Sequence, residues 1–346
     1  MSIYADEMRQ TAQAMVAPGK GILAMDESNA TCNKRFAKLG IPTTEERRRA
    51  YRELILTTPN LSEFISGAIL YDETIRQSSQ AGVPFTQVMQ NAGMIVGIKV
   101  DTGAKDLAAC PGEKITEGLD GLRERIAEYY QMGARFAKWR AVITIGEPIP
   151  SPTCIETNAH ALARYAALCQ EGGLVPIVEP EVLIDGNHSI ERCYEVTDQT
   201  LQAVFTQLRL QKVAFDQMIL KPSMVISGLE CPVQATVDQV AEMTIQVLRN
   251  NVPASVPGIA FLSGGQSNQR STEHLNTMNV KYGALCPWRV TFSYARAIQQ
   301  PALEYWAGHD ANIPAAQQLL YHRAKLNGSA SLGKYDPAME KQTVLV

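Results

Sequence analysis

The stretch Gln217-Met218-Ile219-Leu220-Lys221-Pro222-Ser223 decides how this chain is read. Met218, Ile219 and Leu220 ahead of Lys221 predict a short buried strand. Pro222 has no N–H and cannot continue a strand ladder, so the strand stops at the lysine. Lys221 therefore stands where buried strand gives way to loop. Apolar walls strip hydration from an ammonium, lower its pKa and make the nucleophilic amine more available. Imine-forming chemistry needs such an amine. Taken alone, Lys221 reads more readily as a strand-end side chain reaching for water. The rest of the chain separates the two readings.

Seven other apolar segments resemble this one, at residues 22–25, 64–71, 94–101, 136–142, 175–181, 258–265 and 289–294. Between them lie longer stretches with helical signals. Leu122, Ile126, Tyr129 and Tyr130 fall three and four apart among Arg123, Glu124, Arg125 and Glu128. Thr43 or Thr44 caps a helix with Glu45 and Glu46 in its first turn. Arg47, Arg48 and Arg49 then read as a solvated helix face. Further helices are predicted at 2–16, 153–171, 189–210, 236–250, 295–306 and 311–326. Strands alternating with helices imply parallel pairing through helical crossovers. Eight such units predict a (β/α)8 TIM barrel, with an extra N-terminal helix and C-terminal helices and tail. An open doubly wound sheet is disfavoured, because no Gly-rich dinucleotide fingerprint follows the first strand. The chain reads as a single domain over 1–346, with 328–346 a mobile tail.

Composition excludes several classes. Net charge is −3, from 32 basic and 35 acidic residues, so nothing points to nucleic acid or an acidic membrane surface. No apolar run approaches a membrane span, and Met1 to Glu7 lacks the basic and apolar regions of a secretory signal. Seven scattered cysteines with no C-x-x-C pair suggest free thiols in a reducing, cytoplasmic setting. Five distant histidines show no metal-ligand spacing.

In a barrel the active site is built at the C-terminal strand ends. Here those ends carry Asp26, Lys99, Lys138 with Arg140, Glu179 with Glu181, Lys221, Ser263 with Gly264, and Arg296. Buried charge is costly unless paired, so a ring of charges at one mouth implies a polar, charged ligand. Period two puts Lys138 and Arg140 on one side of their strand, and likewise Glu179 and Glu181. Lys138 near Lys221 would lower the latter's pKa, and one of the two glutamates could be held protonated as an acid. Each pair by itself also reads as an internal ion pair. Ser263-Gly264-Gly265-Gln266-Ser267 and Ser293-Tyr294-Ala295-Arg296 follow strands seven and eight, where barrels commonly bind phosphate. Two glycines permit close backbone approach, and Arg296 offers a bidentate fork. Ser28, Thr31, Lys34, Arg35, Lys99 and Arg140 could neutralise a second phosphate opposite. Two anionic ends with a lysine between them suggest a sugar bisphosphate.

These motifs resemble class I fructose-1,6-bisphosphate aldolases over nearly the whole chain, from Ala17-Pro18-Gly19-Lys20-Gly21 through Gly333-Lys334-Tyr335. Those that carry the resemblance include Asp26-Glu27-Ser28, Phe136-Ala137-Lys138-Trp139-Arg140, Val178-Glu179-Pro180-Glu181, Leu220-Lys221-Pro222 and Phe261-Leu262-Ser263-Gly264-Gly265. The resemblance implies that Lys221 forms the Schiff base and that Glu179 handles protons. It implies that Asp26 holds the hydroxyl whose deprotonation breaks the C–C bond, and that Lys138 and Glu181 tune their neighbours. Ser263, Gly264, Gly265, Ala295 and Arg296 would hold the 1-phosphate; Lys99, Arg140, Ser28, Thr31 and Arg35 would lie toward the 6-phosphate. No metal or other cofactor is implied. A homotetramer and a place in glycolysis, gluconeogenesis or the Calvin cycle are. Sedoheptulose 1,7-bisphosphate fits the same chemistry. Outside this reading stand a transaldolase or other phospho-sugar aldolase, a metal-dependent aldolase, and a barrel kept as a scaffold. The chain departs from the family at Ala295, where glycine is common. It also departs at its end, Gln342-Thr343-Val344-Leu345-Val346, where animal members carry a tyrosine. Tyr335 is the last tyrosine here.

Overall fold

Eight strands close into a barrel in the computed structural model, which describes residues 3–341. They are β1 Gly21–Ala24, β2 Ile65–Leu70, β3 Ile95–Lys99, β4 Phe136–Ile143, β5 Val175–Val182, β6 Ile219–Leu220, β7 Gly258–Phe261 and β8 Arg289–Tyr294. Neighbours around the barrel are neighbours in the chain, every pair is parallel, and β8 returns to β1. Helices such as Pro152–Glu171, Ile190–Leu210 and Val237–Asn251 make the crossovers. This is the (β/α)8 barrel that the alternation predicts. Among the described residues no helix is long and apolar enough to cross a membrane.

The interior explains why the mouth is at one end only. Ile22, Ile69, Phe136, Val175, Ile177, Ile219 and Ala260 fill the barrel, and Met8, Ala12 and Met15 of the N-terminal helix Ala5–Met15 join the same cluster. Spacings of four and three put those helix residues on one face. The apolar helix face packs with this lower interior, so the polar opening lies at the C-terminal strand ends. A Cβ on Gly97 would lie 2.1 Å from the Phe136 ring, so glycine in β3 makes room for that ring.

Several boundaries and surroundings differ from expectation. The sixth strand is only Ile219–Leu220, because Phe215–Gln217 turns as a 3-10 helix before it. Its buried residues are nonetheless Met218, Ile219 and Leu220. A two-stranded antiparallel hairpin, Gly103–Asp106 with Lys114–Glu117, follows β3 and was not anticipated; its residues are mostly polar, half of them exposed, and carry no apolar alternation. Arg48 is not solvated: it is 8% exposed, and it forks onto Glu73. Glu73 supplies the carboxylate that makes this burial tolerable. Of the stretch read as a tail, residues 328–331 complete the helix Ile313–Ser331 and Pro337–Lys341 forms a 3-10 turn. Arg323 grips Glu340 at 2.7 Å, and Tyr335 is 6% exposed with its hydroxyl on Glu340 at 3.0 Å. The terminal residues Gln342 to Val346, where the sequence departs from animal relatives, lie outside the described residues.

Candidate active site

Register places the charged side chains. Lys99 on β3 lies beside Lys138 on β4, and Arg140 lies beside Glu179 on β5. Lys221 directly follows β6, and its N–H donates to Val178 O at 2.8 Å. One cavity is lined by Lys99, Lys138, Arg140, Lys221 and Arg296 together with Asp26, Glu27, Glu179 and Glu181. Ser28, Thr31, Ser263, Gly264 and Ala295 complete much of its wall. A roomier groove between Pro59 and the helix Ile313–Ser331 holds Lys325 but no carboxylate, so the paired charges belong to the barrel mouth.

Lys221 and Lys138 are 3% and 4% exposed, and Glu179 lies between them. Its Oε1 is 3.1 Å from Lys221 Nζ and its Oε2 is 3.3 Å from Lys138 Nζ. Lys138 also meets Asp26 Oδ2 at 2.7 Å. Lys138 therefore does not face Lys221 as a bare repelling charge. Burial works against the Lys138 ammonium, but Asp26 and Glu179 outweigh it and hold its pKa above the ordinary lysine value. Burial likewise works against the Asp26 carboxylate; Lys138 and Lys221 overcome it and bring the pKa to about 2. Glu179 is lowered in the same way, burial opposing and Lys138, Lys221 and Arg140 prevailing. Of the two glutamates, Glu179 is therefore not the one to be held protonated as an acid. Glu181 is taken up by Arg140, and Lys99 by Asp101 at 3.2 Å.

The loop after β7 turns through two glycines in the left-handed region, Gly264 at φ 54° and Gly265 at φ 89°. A Cβ on Gly265 would lie 3.6 Å from Arg296 Nη2, so this loop and the arginine are adjacent. Arg296 opens the helix Arg296–Trp306, is exposed, and belongs to none of the ion pairs found among the described residues. It is available to an anion. Ala295 sits at φ −103°, outside the left-handed region that would favour glycine.

Arg35 is not brought into the cavity. Its guanidinium pairs with Glu27 and reaches Gln299 at 3.1 Å and Gln300 at 3.2 Å. Arg52, 2% exposed, holds the other Glu27 oxygen at 2.8 Å. Burial opposes the Glu27 charge, but Arg52 and Arg35 keep its pKa lowered. Gly265 stands beside the cavity wall, and Tyr335 does not line it. Glu27 and Ser293 also line it; Glu27 was missed as a site residue, and Ser293 was read only as part of the segment Ser293 to Arg296 and given no role of its own. Ser293 Oγ is buried without a hydrogen-bond partner. Its place on alternate positions with Thr291 and Ala295 was the signal for it. Among the described residues no cluster of histidine, cysteine or acid side chains is placed to hold a metal, and all seven cysteines are free.

Fold and cavity define a (β/α)8-barrel enzyme with a charged mouth suited to a phosphorylated substrate. Residues 7–345 match the family model described as fructose-bisphosphate aldolase class-I. A probable fructose-bisphosphate aldolase class 1 of Xanthomonas campestris is 62% identical, over 95% of this chain and 98% of that one. Fructose-bisphosphate aldolase of Dictyostelium discoideum is 50% identical, over 96% and 94%. The solved aldolase of Plasmodium falciparum superposes with a TM-score of 0.94 at 46% identity, covering 96% of each chain. The chain belongs to the class I fructose-bisphosphate aldolase family. Its reaction is the reversible aldol cleavage of fructose 1,6-bisphosphate to dihydroxyacetone phosphate and glyceraldehyde 3-phosphate.

Proposed function

We propose that Lys221 carries this reaction as the imine-forming residue. The observation that supports it best is Glu179, ionised and bridging two buried lysines, with an oxygen 3.1 Å from Lys221 Nζ. Attack of the neutral amine on the ketone gives a carbinolamine; loss of water gives an iminium, and Glu179 moves the protons. The iminium then accepts the electron pair released when the C3–C4 bond breaks. Asp26, held ionised by Lys138, accepts the proton of the C4 hydroxyl. Lys138 keeps Asp26 and Glu179 charged and in place, and Glu181 fixes Arg140. Ser263, Gly264, Gly265, Ala295 and Arg296 take the 1-phosphate, and Lys99, Arg140, Ser28 and Thr31 the 6-phosphate, with Arg35 behind them. Borohydride reduction with dihydroxyacetone phosphate, followed by peptide mapping, tests the assignment. An adduct on Lys221 alone is expected; an adduct on Lys99 or Lys138, with Lys221 unmodified, overturns it.

Two further expectations concern the phosphates. Arg296→Ala loses a charge-assisted contact of about 1.5–3 kcal/mol, or roughly tenfold to hundredfold in kcat/KM. The loss should be similar for fructose 1,6-bisphosphate and fructose 1-phosphate. Arg35→Ala should instead cost the bisphosphate about threefold to tenfold more than the monophosphate. Equal losses would confine Arg35 to holding Glu27. Sedoheptulose 1,7-bisphosphate is proposed as a second substrate, measurable by direct assay. The homotetramer implied by the family is proposed for this chain, with sedimentation velocity as its test. Seven free thiols support a reducing compartment, and fractionation of the source cells would test that.

A further inference from the structure

The phosphate loop is braced from behind by side chains that the chemistry above does not use. The helix Asn268–Tyr282 follows the loop directly, and His274 lies within it, 4% exposed. His274 Nδ1 stands 2.6 Å from Gln266 Oε1. An amide oxygen only accepts, so Nδ1 carries the proton and donates it. Gln266 Nε2 in turn reaches Met224 Sδ at 3.5 Å. Met224 is 2% exposed and stands three residues beyond Lys221. The loop and the Lys221 segment also touch through Leu262 N donating to Pro222 O at 3.2 Å. Burial, and then the nearby Arg270, bring the His274 pKa down to about 3. The ring is neutral at working pH and keeps its Nδ1–H.

Gly264 and Gly265 have no side chains with which to anchor the loop. Gln266 is the first residue after them that has one. Glycine pairs lose the most conformational freedom on ordering, so such a loop needs an external brace. We propose that His274 is a positioning residue for substrate binding: through Gln266 and Met224 it sets the place of the phosphate loop relative to Lys221. The inference rests on the reading that the 1-phosphate binds at this loop.

The test uses the full-length enzyme with His274→Phe, Gln266→Met and the double variant. The first keeps ring bulk and loses the donor; the second keeps chain length and loses both polar atoms. Each should raise KM for both fructose 1,6-bisphosphate and fructose 1-phosphate by about threefold to tenfold, the effect of one lost hydrogen bond. kcat should change by less than about twofold, since the brace acts on binding and not on the reacting atoms. If His274 works through Gln266, the double variant should lose no more than the worse single one. An unchanged KM in folded His274→Phe, or losses that multiply in the double variant, overturns the proposal. Should His274→Phe fail to fold, Gln266→Met decides alone: a raised KM supports the brace and an unchanged KM overturns it. Arg296→Ala separates the two levels. A raised KM there beside an unchanged KM in the brace variants overturns only the role of His274. Unchanged KM in Arg296→Ala as well overturns the placement of the phosphate.

Discussion

Lys221→Arg is expected to abolish turnover, by at least about four orders of magnitude in kcat. A guanidinium is not deprotonated in proteins and cannot attack a carbonyl to form the imine. Charge is kept, so Glu179 still has a cation beside it and the fold should survive. That separates chemistry from stability. Lys221 and Glu179 are both about nine-tenths buried or more, so simple deletion of the lysine would confound the two. Steady-state cleavage of fructose 1,6-bisphosphate measures the first effect, and a melting curve the second. Residual activity above a thousandth of the parent, in protein shown free of parent enzyme, would remove Lys221 from the role given it.

Lys138→Met is expected to lower both kcat and stability. The ammonium it removes neutralises Asp26 at 2.7 Å and shares Glu179 at 3.3 Å. Breaking a buried pair by deleting one partner costs about 3–5 kcal/mol when the other charge stays. Loss of a group that holds acid and base in their states costs about 10²- to 10⁴-fold in rate. The pH dependence carries the sharper sign. Asp26 has a folded pKa of about 2, below its ordinary 3.8. A depressed carboxylate stabilises the fold fully above its unfolded pKa, and that share is lost as pH falls from about 4 toward 2. In the variant, burial without Lys138 pushes Asp26 the other way, so acid relieves strain there. The stability gap between parent and variant should therefore be widest near neutrality and shrink toward pH 4. Urea unfolding at pH 7 and pH 4 measures it. A gap that stays constant, or widens in acid, would show that Lys138 does not act through Asp26.

The effects of these two replacements differ because the residues became legible in different ways. The place of Lys221 could be read from its own neighbours, three apolar residues before it and a proline after it, though its role needed the charged ends of the other strands. The strand that carries it shrank to Ile219–Leu220 in the structure, yet the burial and the stop at Pro222 held. Barrel architecture was legible for a similar reason. Period two, helical spacing and N-cap chemistry are local, and Thr44 caps its helix as its sequence predicts. The hairpin after β3 escaped because most of its residues are polar and exposed or half-buried, and they carry no apolar period.

What the sequence by itself determined, then, was the order of elements and which charged residues stand at strand ends. Which charges pair was decided by tertiary structure alone. Nothing local to Glu179 says that it bridges Lys138 and Lys221, since those three residues come from three strands and meet only by register. Arg35 shows the same limit from the other side. Its motif puts it near Ser28 and Thr31, but Glu27, Gln299 and Gln300 draw it behind the cavity. His274 lies on a helix with no catalytic motif of its own, and its hydrogen bond to Gln266 exists only because the helix folds back on the loop. Sequence carries local propensity and the type of each charge. Ionisation state and binding geometry depend on distances of about 3 Å between residues far apart in the chain, and Coulomb energies in a buried site change steeply at that range.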